Sequence, residues 1–435
     1  MVRLFASMMM LVAVAISSAG QTPVDAASVF NRSKLRLQAD LERLPRYTCV
    51  QTVTRHYFYS PYRFAASSCK EAITAHDKRN HELQQSGWDR LRLDVAVSGS
   101  REIYSWVGAP RFEDDAFSRV AGSGPLGSGD FGPFIGGIFK GGILKLEGEK
   151  EVQGRRMLEY SYEVPETSSK YEVDADKQKF ITGYSGTMLF DEADPDLVRL
   201  VVRTGELREE SGKCQAISEV DYGRVMIHGG QMLIPKETRL QVIGREGEEA
   251  LNVTAYSDCH EYSSKSVVLT GEVETPQGAP KTQLQPAQSP FPAGLHFDWR
   301  LLTPIDSDTA AAGDPVEAIL RSPLRDKKGA ILAPAGTHLH GRLGRFAQHA
   351  FLGGYFEIEF QFESIDLNGQ RVLFSAQLQG ANTWLPYRGR MTASRDTFAG
   401  TGASYFFTNP HLKLDRLDSH GVTALPNARK KEEGK

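Results

Sequence analysis

The sequence predicts a mainly β protein: an N-terminal helix plus antiparallel half-barrel, a Pro-rich linker, and then a small antiparallel β-barrel or sandwich. Three observations support this prediction. Apolar and polar residues alternate along most of the chain, which is typical of antiparallel sheets with one face on a core. Helical periodicity dominates only one early segment, which argues against the βαβ rhythm of a doubly wound nucleotide-binding fold. One proline-rich stretch separates two regions of alternation.

The first residues have the pattern of a signal peptide, which we assign to 1–19. Arg3 gives a positive start, an apolar run extends from Leu4 to Ile16, and small residues follow at Ser17–Ala19. The run is shorter than the roughly 20 residues that a membrane span needs. No cysteine follows the cleavage region, so we expect a periplasmic or secreted protein without a lipid anchor and with no transmembrane span after signal cleavage.

Composition describes an ordinary globular chain of 435 residues with 40% apolar and 24% charged residues. A net charge of −3 gives no general attraction to nucleic acid. An even number of cysteines in an exported chain predicts disulfides, and four cysteines allow three connectivities. We favour Cys49–Cys69 and Cys214–Cys259, since each pair would join neighbouring strands. The alternative is four free cysteines buried as small hydrophobic residues.

The leading helix is predicted over Asp25–Leu44, because Leu37, Leu41 and Leu44 share one helical face and Pro45 ends the pattern. Period-two alternation then dominates and predicts the strands of a half-barrel domain over residues 20–268. The predicted strands lie at residues 48–59, 91–97, 103–107, 158–164, 198–203, 216–220, 238–243 and 251–256.

One glycine-rich segment, Gly122–Gly142, interrupts the strands with nine glycines. It lacks the Gly-Lys-Ser/Thr ending of a phosphate-binding loop and follows no predicted βα turn. A short apolar helix near Asp130–Lys140, capped by Asp130, is the better interpretation. Such a helix could cover the open face of a curved sheet.

Residues 269–293 are rich in proline and glutamine and predict an extended linker. A small β-barrel domain follows over residues 294–424, and a charged tail covers 425–435. Within this domain, Asn368-Gly369 is a strong hairpin signal between two alternating runs. Those runs include Phe356, Ile358, Phe360 and Phe362 before the turn, and Val372, Phe374, Ala376 and Leu378 after it.

Two family resemblances follow from these features. Residues 25–262, with a leading helix, a long antiparallel half-barrel and a Gly/Phe segment, resemble the outer-membrane lipoprotein-sorting and carrier superfamily. The phrase Leu44–Cys49 looks like exported soil-bacterial proteins of unknown function. The first resemblance implies a half-barrel whose concave face the Gly/Phe segment could fill, and it carries no individual binding residues across.

Residues 313–379 resemble the barrel domain of conjugation and type IV secretion channel proteins. The apolar helical insertion with which channel members cross the outer membrane is missing, so the resemblance implies a barrel without a pore. The segments that carry it are Pro323–Asp326, Gly329–Thr337, Gly341-Arg342 and Asp366–Gly369.

Aromatic residues supply the candidate ligand-binding site. They cluster around the first strand and in the glycine-rich segment, where they could line an apolar surface for an acyl chain or a lipidated peptide. An ordinary hydrophobic core is the alternative. The candidate residues are Tyr57, Tyr59, Phe131, Phe134 and Phe139.

Catalytic and metal-binding patterns are weak. His338 and His340 share one strand face near His349, but alternation turns them outward together with Arg342, as expected of a solvated face rather than zinc ligands. Asp258-Cys259-His260 is better explained by a disulfide than by a reactive thiol. Motifs of serine hydrolases, zinc proteases and Cys-x-x-Cys redox proteins are absent.

The sequence therefore predicts an exported non-catalytic envelope protein, with no cofactor and no metal. It would bind an apolar or lipid-bearing partner in the N-terminal half-barrel and use the C-terminal barrel for docking to envelope proteins. Partners would be a lipid or a lipidated protein and not nucleic acid. The alternatives are a structural or secretion-apparatus assembly component and an envelope hydrolase.

Overall fold

The computed structural model describes residues 25–43, 46–60, 68–78, 83–98, 101–109, 112, 132–175, 178–262, 291–379 and 403–423. The predicted signal peptide, the charged tail, Phe131 and most of the predicted linker lie outside these residues. The described chain is mainly β, as predicted. Its helices are α1 Ala26–Arg43, α2 Cys69–Lys78 and α3 Gly132–Gly141.

The first twelve strands are β1 Tyr47–Tyr59, β2 Gln84–Ser98, β3 Arg101–Trp106, β4 Ile143–Val152, β5 Arg155–Val164, β6 Tyr171–Ala175, β7 Gln178–Thr182, β8 Tyr184–Asp191, β9 Leu197–Thr204, β10 Lys213–Ile227, β11 Gly230–Gly244 and β12 Glu249–Glu261. The second twelve are β13 His296–Leu301, β14 Ile305–Asp306, β15 Pro315–Leu320, β16 Leu324–Arg325, β17 Ile331–Ala333, β18 His338–His349, β19 Tyr355–Leu367, β20 Gln370–Leu373, β21 Ala376–Gln379, β22 Ala403–Phe407, β23 Lys413–Leu414 and β24 Asp418–Thr423.

Ten of the N-terminal strands form one antiparallel sheet in the order β3-β2-β1-β12-β11-β10-β9-β8-β5-β4. The chain therefore builds a meander from β8 to β12 and then pairs β12 with β1, far away in sequence. Strands β6 and β7 form a separate hairpin.

Two helices pack on one face of this sheet, which we call the inner face. From α1, Val29, Ser33 and Leu37 are buried, and their spacing of four residues places them on one side of the helix. From α3, Ile135 and Ile138 are buried in the same apolar cluster as the sheet residues. This confirms both predicted helices and the prediction that the glycine-rich segment would cover a sheet face.

The C-terminal strands form a second antiparallel region in the order β21-β24-β13-β15-β18-β19, with β20 and β22 both paired to β19. Trp299 is fully buried at its centre against Phe360, Phe362 and Tyr405. The predicted hairpin at Asn368-Gly369 is confirmed, because both residues have positive φ (50° and 76°), as a tight turn requires.

Strand β2 joins the two regions. Its later residues pair with β3, whereas Asp89 pairs with Ala347 of β18 and Leu91 forms a bridge to Ala312. Gly87 permits the approach, since a Cβ there would lie 2.4 Å from the carbonyl oxygen of Gln348. The hydrogen-bonded sheet is thus continuous between the N-terminal and C-terminal regions. The domain bounds predicted from the sequence stay predictions.

The disulfides are Cys49–Cys259 and Cys69–Cys214, so the sequence-local pairing was wrong. Cys49 lies on β1 and Cys259 on β12, and these strands are neighbours only because of the long-range pairing. Cys69 begins α2, a helix that the sequence analysis missed, and Cys214 lies at the start of β10, against which α2 packs. The cysteines are therefore paired by their proximity in the folded chain and not by their proximity in the sequence.

Candidate functional site

The inner face is apolar where α1 and α3 cover it. Phe30 of α1 lies 4.5 Å from Tyr160, 5.7 Å from Phe190 and 6.2 Å from Phe139, measured between ring centroids. We call the sheet residues of this region the apolar half; they are Leu158, Tyr160, Met188, Phe190, Leu200 and Val202. Burial of this surface against two short helices supplies the hydrophobic contribution that holds them in place.

Helix α3 is intrinsically weak, because glycine occupies several of its positions, including Gly136 and Gly137 at its centre. Each interior glycine costs a helix about 1 kcal/mol relative to alanine. No described atom lies within 4 Å of a Cβ built at Gly136, so packing does not require glycine there. At Gly137, the Tyr184 hydroxyl would be 3.1 Å away. The helix is therefore held mainly by burial of Ile135 and Ile138.

Ion pairs hold α1 to the sheet. Arg224 of β10 donates hydrogen bonds to Asp196 at 2.6 and 2.7 Å and to Asp40 of α1 at 2.8 Å. Arg36 of α1 pairs with Asp194 and, at 3.2 Å, with Asp196. The hydrogen bonds that Arg224 donates to Asp196 and Asp40 raise its pKa despite its partial burial. Ion pairs as well as apolar contacts therefore hold α1 on the sheet.

The register of the strands shows how the inner face continues beyond the helices. Directly opposed residues of antiparallel strands share a face. One row of such residues crosses eight strands, and it changes from apolar to polar and back to apolar. The row is Tyr160, Met188, Leu200, Val220, Thr238, Thr254, Val53 and Leu91.

The polar centre of this face is buried. Five of its side chains are 1–6% exposed, namely Gln51, Ser218, Thr238, Asn252 and Thr254. Tyr256 belongs to the same group, because it opposes Gln51 across β1 and β12. We call these six residues the polar strip.

Gln51 hydrogen-bonds to Tyr104, and Tyr256 hydrogen-bonds to Thr238 within the strip. On the buried side of α1, Ser33 Oγ makes no hydrogen bond with a described residue. An unsatisfied buried polar atom costs about 1–3 kcal/mol. Native proteins keep such atoms rarely, and usually at sites where water or a ligand supplies the partner.

Charged groups beside the strip already have hydrogen-bond partners. Arg55 donates two 2.6 Å hydrogen bonds to Asp89, and the Tyr104 hydroxyl donates to Glu102. Burial raises the pKa of Tyr256 well above its ordinary value, and Glu102 adds to the effect. Burial likewise raises the pKa of Tyr104. The tyrosine hydroxyls of this face therefore stay neutral.

The structure separates the predicted ligand-binding residues. Phe139 of α3 packs against the apolar half, and the ammonium group of Lys34 lies 5.2 Å from the centre of its ring. Tyr57 lies instead beside the Arg55–Asp89 pair, with its hydroxyl 3.3 Å from Asp89. Tyr59 is exposed and donates to Gln84. Phe134 belongs to α3, and Phe131 lies outside the described residues. Ligand binding by these five residues stays a prediction.

The sequence analysis did not select the polar strip, although a signal existed. Every second residue of β1 is buried in the core from Tyr47 to Arg55. Gln51 occupies such a position between the apolar residues Cys49 and Val53, and Arg55 occupies the next one after Val53. Polar residues at intended core positions mark either an error or a functional demand.

An open groove of about 500 Å³ lies where the two regions meet at β2. Trp88 packs on Phe346 and Phe356, and the Arg90 guanidinium stacks over the Trp88 ring at 4.9 Å. Arg90 also donates to the carbonyl oxygens of Ser307 and Ala310. Its cationic group is thus used to join the two regions.

The candidate metal histidines are separately paired. His340 lies 2.8 Å from Asp366, and His349 lies 2.9 Å from Glu357. Arg342, expected to point outward, is instead buried and pairs with Glu363, because β18 carries a bulge that shifts its register. Within the described ranges, no three His, Cys, Asp or Glu side chains form a metal-binding group.

No protein-family model matches the chain, and no curated protein matches its sequence. Solved structures are similar only at low levels. A DUF1329 family protein from Desulfovibrio piger is 9% identical (55% of this chain, 93% of that chain, TM-score 0.27). A domain assigned to outer membrane lipoprotein-sorting proteins from Vibrio parahaemolyticus is 10% identical (57% and 95%, TM-score 0.26). The MucA/MucB complex of Pseudomonas aeruginosa is also 10% identical (91% and 94%, TM-score 0.18).

Likenesses of this size do not establish a function. The Vibrio parahaemolyticus domain bears the name of the superfamily that residues 25–262 resemble. The resemblance of residues 313–379 to channel proteins stays a prediction.

Two further findings bear on location. Both disulfides are of the kind that persists in oxidising compartments, which indicates an extracytoplasmic protein. Among the described helices, none combines the length and the apolar character needed to cross a membrane.

Proposed function

We propose that this protein is an exported, non-catalytic binding protein of the periplasm that holds the acyl chain of a lipid-bearing partner on its inner face. One observation carries the proposal: the apolar half of a ten-stranded sheet is covered by α3, a helix weakened by central glycines. A permanent core would gain stability from a helix without glycine at Gly136, where nothing prevents alanine.

Replacement of α3 by an acyl chain on the inner face would cost little free energy. An acyl chain that replaces Ile135, Ile138 and Phe139 on the apolar half would bury a comparable apolar surface, at roughly 25 cal/mol per Å². The weak helix propensity of α3 keeps the cost of its displacement low. Helix α1, fixed through Arg224 and Asp40, would stay in place and form one wall of the site.

The C-terminal region would serve as the docking module. Its continuity with the inner-face sheet through β2 provides a rigid connection, so that a partner bound to one region is held in a defined orientation to the other.

Native mass spectrometry of the mature protein tests the proposal. Incubation with a synthetic diacylated lipopeptide should give a one-to-one adduct, and the same peptide without acyl chains should give none. If the acylated and unacylated peptides both fail to bind, or bind equally, the proposal is wrong.

A further inference from the structure

One end of the inner-face sheet is open. Strand β4 is the last of the ten strands, and among the described residues it pairs only with β5. None of the residues of β4 is buried, and the apolar side chains of Ile143 and Leu146 are 70% and 42% exposed. At the opposite end both faces of β3 are covered, since Tyr104 and Ser105 are buried. In the described part of the chain, the outer edge of β4 therefore presents backbone N–H and C=O groups with which another strand could pair.

Side chains of β4 form a two-part pattern on the inner-face side of the sheet. Four residues of β4 oppose the side of β5 that faces inward, and we call them the edge row. They are Leu144, Leu146, Glu149 and Glu151, opposite Tyr162, Tyr160, Leu158 and Arg156. A bulge between Leu146 and Gly148 separates the two leucines from the two glutamates. The edge row is thus apolar in its first half and acidic in its second half.

The acidic half of the edge row has no cation of its own. Among the described side chains, neither Glu149 nor Glu151 has an ion-pair partner within 4 Å, although both are exposed. Lys145 and Lys150 pair with other glutamates of β4 and β5, and Arg156 pairs with a glutamate just after β8. Pairing of two copies along β4 would bring two acidic edges together, which opposes self-association.

We infer that β4 binds an extended segment of a protein partner as an additional strand of the sheet. Backbone hydrogen bonds supply the attraction common to all such segments, and the edge row selects among their side chains. The preferred segment places basic side chains opposite Glu149 and Glu151 and apolar ones opposite Leu144 and Leu146. This inference goes beyond acyl binding and does not require it. Because β4 directly follows α3 in the chain, a bound segment would lie beside the apolar half.

A seven-residue peptide tests the inference. Lysine occupies its first and third positions, valine its fifth and seventh, and threonine the others, so that an antiparallel peptide matches the edge row. Fluorescence anisotropy of the labelled peptide with the mature protein at low ionic strength should show saturable binding. The same peptide with glutamate in place of both lysines should bind about tenfold more weakly, because two attractive pairs become repulsive. The lipopeptide used above should lack this pattern, so that the two tests stay independent.

Backbone methylation distinguishes strand addition from simple charge attraction. Successive N–H groups of a strand point to opposite edges, so N-methylation of every second residue blocks only one edge of the peptide. Two peptides carry the methyl groups in the two alternate series. One should lose binding at least about tenfold, because its methyl groups face β4, and the other should bind like the unmodified peptide. Equal affinities of the two methylated peptides would overturn the inference.

Charge reversal assigns binding to the edge row. The double variant Glu149→Lys with Glu151→Lys should bind the lysine peptide about tenfold more weakly and should bind the glutamate peptide instead. Glu210→Lys with Glu246→Lys is the matched control, since it makes the same change of total charge on exposed residues between other strands. The control should keep both affinities within about twofold of the wild type.

The outcomes separate this inference from the proposed function. Equal loss of binding in the control and in the edge-row variant would indicate general electrostatic attraction and would overturn the inference. Absence of saturable binding by the lysine peptide overturns it as well. A dimer in analytical ultracentrifugation that the edge-row variant abolishes would also overturn it, because a second copy would then fill the edge. None of these results affects acyl binding, which the comparison of acylated with unacylated peptide tests separately.

Discussion

The Arg224 guanidinium of β10 donates a 2.8 Å hydrogen bond to the Asp40 carboxylate of α1. These residues are 184 positions apart in sequence, and both side chains are about 15% exposed. The contact attaches the C-terminal half of α1 to the inner-face sheet, and the same guanidinium also bonds to Asp196 in the turn between β8 and β9. One arginine thus joins three elements around the proposed site.

Replacement of Arg224 by alanine should lower the free energy of unfolding by about 3 kcal/mol, because Asp40 would be left partly buried without a cation and Asp196 would keep only Arg36. Urea unfolding measures the change. Arg199→Ala is the control, since Arg199 makes similar ion pairs at 41% exposure, and its loss should cost less than about 1 kcal/mol. Equal effects of the two changes would show that Arg224 does not hold α1.

Replacement of Gly136 by alanine should stabilise α3 by about 1 kcal/mol, because the new Cβ meets no described atom. If α3 must leave the inner face for ligand to enter, lipopeptide affinity should fall about fivefold. Gly205→Ala controls for the general effect of adding a methyl group, since its Cβ would make only ordinary contacts at 3.7 and 3.9 Å, with Gly183 and Thr182 and not with α3. Unchanged affinity in Gly136→Ala would argue against displacement of α3.

Replacement of Gly87 by alanine should disturb the junction, because its Cβ would lie 2.4 Å from the backbone oxygen of Gln348. Overpacking of this kind costs about 1–3 kcal/mol. In scanning calorimetry, we expect one cooperative transition for the wild type and two separate transitions for the variant. Two transitions already present in the wild type would show that β2 does not couple the regions.

Alkaline pH should destabilise the fold through buried tyrosines. Burial raises the pKa of Tyr184 to about 12 and that of Tyr405 to about 12. Both groups hold their protons longer in the folded than in the unfolded chain, where tyrosine titrates near 10. Their contribution to stability is therefore complete below about pH 10 and is lost as the pH rises from about 10 to about 12. Titration followed by tyrosinate absorbance, with unfolding followed by circular dichroism, measures both changes. Full ionisation of the tyrosines near pH 10 in the folded protein would contradict the burial of these groups.

The strands and two of the helices were predictable because their signals are local. Leucine spacing located α1, alternation located most strands, and Asn368-Gly369 located its hairpin. Local patterns do not contain the identity of strand neighbours, so the pairing of β1 with β12 could not be foreseen. The disulfide connectivity depends on that pairing, which is why it was predicted wrongly.

The candidate site was predictable only in part, for a related reason. The glycine-rich segment identified a covering helix, and Phe139 lies on the apolar half as a ligand-binding residue would. Tyr57 and Tyr59 share the aromatic composition, but Tyr57 lies beside the Arg55–Asp89 pair and Tyr59 is exposed, because composition does not give the surroundings of a residue along its strand. The polar strip gathers residues from four strands, and only the register of the sheet brings them together.

Photocrosslinking tests the central claim, acyl binding on the inner face, most directly. A lipopeptide with a diazirine in its acyl chain would be irradiated with the mature protein, and the modified residues would be identified by peptide mapping. The account predicts labels on the apolar half, at Leu158, Met188, Phe190 and Leu200, and competition by unlabelled lipopeptide. Labels confined to exposed apolar residues such as Phe351 and Met226, without competition, would contradict it.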